Sequence, residues 1–164
     1  REQLVYNVEI IPIEFVVRNI AAGSICKRLN LKEGELLPRT LLEYYYKSDE
    51  LNDPMISEEH ITAFNWANLD EIKQIYNMSI KINNFLVKLF LKVGIKVIDF
   101  KLEFGRLSKN NNHILVLADE LSPDNFRLWD LKTNKKLDKD IFREDLGNIT
   151  DAYTEVAQRL GIIK

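Results

Sequence analysis

The stretch "VIDFKLEFG" at residues 97–105 spaces Asp99, Lys101 and Glu103 two apart, and "LADELSPDNFRLWD" at 117–130 follows with Asp119, Asp124 and Arg127. Two is the side-chain period of a β-strand, so these three charges are expected on one face, with Ile98, Phe100, Leu102 and Phe104 on the other. If the "SKNNN" turn at 108–112 centres near Lys109 and Asn110, the returning strand carries Asp119 roughly opposite Lys101, and opposed residues share a face. Glu103 and Asp119 would then offer hard oxygen ligands of the kind Mg²⁺ takes, while Lys101 could meet a phosphate or carboxylate. The alternative is a solvated sheet face that binds nothing. Beyond Ser122-Pro123, a turn signal, Asp124 and Arg127 reach the same end of the sheet. Arg127 could clamp an anion bidentately, or form a surface salt bridge with Asp124 or Asp130. Trp129 reads as packing rather than as a stacking platform.

Other charges lie near turns. "RNIAAGS" at 18–24 sets Arg18 at a strand end and Gly23-Ser24 where a helix begins, a place suited to an anion or merely a tight turn made of small residues. No GxxxxGK occurs anywhere. In "YYYKSDELNDPM" (44–55), Lys47 and Asp53 flank a loop, where ligand contacts are common and solvated turns commoner. Lys139 and Arg143 fall on the first turns of a helix if Asp138 or a neighbour caps it. His60, His113 and Cys26 have no neighbours suggesting a nucleophile-base pair.

The elements that must hold these residues suggest one mixed α+β domain with a mostly antiparallel sheet and flanking helices. Its 164 residues, 46% hydrophobic and 29% charged, can bury a full core. Strands are expected over 8–19, with Pro12 at an edge or bulge, then over 41–47, 96–107 and 113–121. Helices are expected over 21–29, 57–64 behind a Ser57 cap, 69–93 ending at Gly94, 138–146 and 149–161. A net charge of -2 gives no overall reason to bind nucleic acid, and no apolar run approaches a membrane span. The single cysteine allows no intrachain disulfide, so a reducing cytoplasm fits best. The start lacks both Met and a signal-peptide layout, so an N-terminal piece is expected to be missing.

In order and spacing, "EIIPIEFVVRNIAAGS", "YYYKSDELNDPM", "VIDFKLEFG", "LADELSPDNFRLWD" and "LDKDIFREDLG" resemble the motifs of the SAICAR synthetase family, over essentially the whole sequence. The resemblance implies the larger C-terminal part of a two-lobed, ATP-grasp-like fold. It implies a ligase that joins the carboxylate of CAIR to the amine of L-aspartate, using ATP and Mg²⁺, through an acyl phosphate, in a homodimer. By resemblance, Glu103 would hold the ribose or help the metal, Asp119 would ligate Mg²⁺, and Lys101 would lie between ATP and the reacting carboxylate. Arg18, Ser24, Arg127 and Arg143 would grip CAIR, with Asp99 and Asp124 orienting, Lys47 on the nucleotide side and Asp53 on the aspartate or imidazole side. The family's Gly- and Lys-bearing "YEGKAK" stretch, which covers the ATP phosphates, has no counterpart here. These residues alone are therefore expected to show little or no ligase activity. Another ATP-dependent ligase or kinase of the same fold, or a non-catalytic binding module, stands as the alternative.

Overall fold

A computed structural model describes residues 2, 4–109, 112–143 and 147–163. One long strand organises the rest: β5 (Ile95–Lys109) lies in a seven-stranded antiparallel sheet and has partners along both edges. Its first half runs between β2 (Ile13–Ile20) and β7 (Phe126–Asp130); its second half runs between β1 (Glu9–Ile10) and β6 (Asn112–Ala118). β3 (Leu36–Tyr46) adds outside β2, and the two-residue β4 (Met55–Ile56) adds outside β3. Pro12 sits between β1 and β2, where its missing N–H interrupts no ladder. At Gly105 a Cβ would come within 2.8 Å of Val8 and 3.2 Å of the Glu9 carbonyl, so only glycine lets β1 pair this closely.

The helices follow the expected order. α1 (Ser24–Leu29) turns back after β2, and α2 (Glu58–Ala63) starts at Ser57, whose Oγ accepts the His60 amide. His60 returns the bond through Nδ1, which accepts the Ser57 amide, so this histidine serves the helix cap. α3 (Leu69–Lys92) is capped the same way by Asn68 and Glu71, and it lays Ile72, Ile75, Leu86 and Phe90 on the sheet. α4 (Asp140–Arg143) and α5 (Ile149–Arg159) close the chain. Asn110, Asn111 and residues 144–146, which complete the expected turn and the end of the expected 138–146 helix, lie outside the described residues.

The core forms where α3 crosses β2 and β5, around Phe15, Phe100 and Phe104, with Phe15 and Phe104 edge to face at 5.4 Å. Burying each such ring contributes about 1.5–3 kcal/mol. The strict alternation expected along β5 fails at one position. A register shift between Val97 and Asp99 turns Ile98 away from Phe100 and into a separate cluster with Ile20, Ala22 and Trp129. Trp129 is packed there as expected.

Candidate active site

The sheet register assembles the first group of charges. Arg18 on β2 stands directly opposite Asp99 on β5, and Asp99 stands opposite Arg127 on β7, so three adjacent strands place one carboxylate between two guanidinium groups. Arg18 Nη1 donates to Asp99 Oδ2 at 2.6 Å, and Arg127 Nη1 donates to both Asp99 oxygens at 3.0 and 3.2 Å. The pairing extends in both directions. Arg18 Nε donates to Glu43 at 2.7 Å, and Glu43 also takes Arg28; Arg127 Nε donates to Asp140 at 2.5 Å, and Asp140 takes Arg143 at 2.8 Å. Acids and arginines thus alternate from α1 to α4. Ser24 Oγ accepts from Arg18 at 3.2 Å and from Arg28 at 2.9 Å.

Gly23 shapes this end of the site. It has φ 63°, and a Cβ there would lie 2.7 Å from Arg127 Nη2. Glycine therefore allows both the turn and the approach of the guanidinium.

A second group surrounds Lys101. Its Nζ donates to Glu103 at 2.7 Å and Glu14 at 2.9 Å, and lies 3.6 Å from Asp119. Lys47 reaches the other Glu103 oxygen at 2.5 Å. Glu103 is 2% exposed, so its charge is kept buried only because two ammonium groups meet it. Burial works against the Lys101 charge, yet its bonds to Glu103 and Glu14 outweigh this and hold its pKa above the ordinary lysine value. A lysine so held is a fixed cation and not a proton acceptor. Burial pushes the Asp119 pKa up, but the Glu120 amide and Lys101 prevail and leave it below the ordinary aspartate value.

Several expected placements change. The charged face of β5 is not solvated: Asp99 and Glu103 are buried in ion pairs. Arg127 pairs with Asp99 and Asp140, not with Asp124 or Asp130, because strand register carries its side chain inward; Asp130 holds Arg159 instead. Asp119 is not opposite Lys101 in the ladder. Ala118 pairs with Glu103, and Asp119 leaves the strand at φ 63°, from where its carboxylate turns back toward Lys101.

Between the two groups lies a polar cleft of about 380 Å³, reached by Glu14, Asp53, Lys101, Asp124, Arg127 and Arg143. Asp124 accepts from Tyr153 Oη at 2.6 Å and lies 3.7 Å from Lys139. Asp53, at φ 44°, accepts the Ser48 amide at 2.8 Å and, among the described residues, pairs with no cation. Ser24, Lys47, Glu103 and Asp119 stand outside the cleft lining. Asp119 instead borders a more apolar hollow of about 540 Å³ made with Val5, Tyr6, Val8, Ile10 and Leu117. Lys101 lines the cleft and Asp119 the hollow, and their 3.6 Å contact links the two walls.

Glu103 and Asp119 both approach Lys101 Nζ, at 2.7 and 3.6 Å, and no cluster of three or more acidic, His or Cys groups fit for a metal occurs among the described residues. A pair suits Mg²⁺, which binds one or two carboxylates and takes its other oxygens from phosphates and water. Sequence reasoning did not mark Glu14, Arg28, Glu43, Asp140 or Tyr153. Each lies in a segment with an ordinary strand or helix pattern, and only long-range pairing brings it to the site.

Known proteins share both sequence and fold. Residues 1–160 match the SAICAR synthetase family profile. The chain is 62% identical to the phosphoribosylaminoimidazole-succinocarboxamide synthase of Acidiphilium cryptum, over 99% of this chain and 64% of that protein. The crystal structure of the synthase of that name from Ehrlichia chaffeensis superposes with TM-score 0.95 at 52% identity, covering 100% of this chain and 69% of the other. A SAICAR synthetase solved in complex with ADP superposes with TM-score 0.90 at 48% identity, over 96% of this chain and 66% of its own. The chain thus spans about 64% of the length of the curated relatives it matches.

Proposed function

The chain belongs to the SAICAR synthetase family, and from this we propose that it supplies the larger part of an ATP-dependent ligase joining CAIR to L-aspartate. The products are SAICAR, ADP and phosphate. The observation that carries the reading is Lys101, held as a cation in the wall of the polar cleft and 3.6 Å from Asp119. A carboxylate is a poor electrophile, so it must be activated before an amine can displace one of its oxygens. On this reading a CAIR carboxylate oxygen attacks the γ-phosphorus of ATP and ADP leaves. The aspartate amine then attacks the acyl carbon, loses a proton, and expels phosphate. Positioning and charge neutralisation supply most of the acceleration.

Each group of side chains has a part in this scheme. Lys101 steadies negative charge on the oxygens between nucleotide and carboxylate. Arg127 and Arg143 meet the phosphate and carboxylate of CAIR, with Ser24 and the buried Arg18 adding hydroxyl and charge beneath, and Asp99 fixing both Arg18 and Arg127. The hollow beside Asp119 receives the nucleotide, and Lys47, bonded to Glu103, serves the nucleotide side. Asp119 and Glu103 would hold Mg²⁺, which when bound neutralises phosphate charge. Asp53, free of any cation among the described residues, faces the amine, and Asp124 orients the substrate from the other wall.

The remaining length of the full protein completes the nucleotide site on this reading, so these residues alone turn over slowly or not at all. Assembly as a homodimer in the cytoplasm is part of the same proposal; among the described residues no helix is long and apolar enough to cross a membrane. Phosphate release by the full-length protein tests the function. Release should require ATP, CAIR and L-aspartate together, and release that ignores CAIR or aspartate would refute it.

A further inference from the structure

Asp138 is 0% exposed and lies between β7 and α4. Its Oδ2 accepts the Leu128 amide at 2.7 Å and its Oδ1 accepts the Asp140 amide at 2.8 Å. The Leu137 amide meets the Leu128 carbonyl at 2.7 Å, which ties the same two segments a second time. Leu128 adjoins Arg127 in the chain, and Asp140 is the carboxylate that takes Arg127 Nε at 2.5 Å and Arg143 Nη1 at 2.8 Å. One buried carboxylate therefore fixes the backbone that carries Arg127 and the backbone that carries its partner. Burial of this kind is unfavourable, and it pushes the Asp138 pKa up to about 6. An apolar residue would fill the space without that cost, but would leave two amides unmatched.

We infer that Asp138 is a positioning residue that sets Arg127 against Arg143 and so governs affinity for the phosphorylated substrate, without touching that substrate. The inference rests on the reading that these arginines meet CAIR. Steady-state kinetics of full-length Asp138→Asn, with thermal unfolding followed in parallel, provide the test. The KM for CAIR should rise about tenfold while the KM for ATP stays within about twofold, since one unmatched amide is enough for such a shift. Equal rises in both KM values, or a fall in kcat alone, would overturn it. If that variant does not fold, Asp138→Ser keeps one acceptor and is read the same way. If neither folds, amide exchange at Leu128 and Asp140 in the wild type decides: a shared rate supports one clamp, and independent rates overturn it. Should the wild type ignore CAIR, the functional reading fails, and this one is judged by solvent exchange of the Arg127 Nε–H. Protection lost in the variant supports the clamp; protection unchanged refutes it.

Discussion

On the proposed reading Asp119 and Arg127 answer to different substrates, and replacing each should show it. Asp119 is ionised, turned out of β6 and only partly covered, so Asp119→Asn removes a charge without opening the core. Full-length Asp119→Asn should lose Mg²⁺-dependent turnover by about a hundredfold or more while its thermal unfolding stays near that of the wild type. Arg127 uses Nε and Nη1 on two different acids, a fork that an ammonium cannot reproduce. Arg127→Lys should therefore raise the KM for CAIR more than that for ATP, measured by initial rates. Asp138 should make stability depend on pH. Its folded pKa is raised from 3.8 to about 6, so the stability linked to its proton is full below the unfolded value and is lost as pH rises through the folded one. The loss between about pH 4 and 6 is on the order of 3 kcal/mol, and denaturant unfolding of Asp138→Asn should lack that part of the slope.

Two kinds of element build the site, and they differ in how openly the sequence declares them. α3 was legible in its length and its end, since apolar periodicity and the glycine after its last turn are both local, whereas its Asn68 cap was not marked. The β5–β6 hairpin was legible too, because period-two alternation and a polar turn lie within one short stretch. The bulge at Ile98 was not, and neither was the departure of Asp119 from its ladder, since both depend on which strand lies beside β5. The turn from β2 into α1 joins local and long-range demands. Gly23 must adopt φ 63° and also admit Arg127, so Gly23→Ala brings backbone strain of about 1–3 kcal/mol together with a displaced guanidinium. Denaturant unfolding should show the loss of stability, and the KM for CAIR should rise with it.

Over the whole molecule, the sheet is what converts distant sequence positions into one site. Arg18, Glu43, Asp99, Arg127 and Asp140 come from five separate elements, and β5 with its neighbours brings them within hydrogen-bond distance. Residue types and motif order were enough to list most of these groups. Their pairing was not legible, because a contact such as Arg18 with Asp99 spans 81 positions and no local pattern encodes its register. The aromatic core keeps that register, so Phe100→Ala, which removes a ring stacked on Phe126 at 5.2 Å, should cost about 3–5 kcal/mol by denaturant unfolding. On the proposed mechanism the carboxylate is activated by phosphorylation beside Lys101 before the amine attacks. Supplying full-length protein with CAIR labelled with oxygen-18 in its carboxylate, together with ATP and L-aspartate, tests this directly by mass analysis of the phosphate released. Label from the carboxylate is expected in that phosphate; phosphate free of label, with SAICAR still formed, would rule the acyl phosphate out.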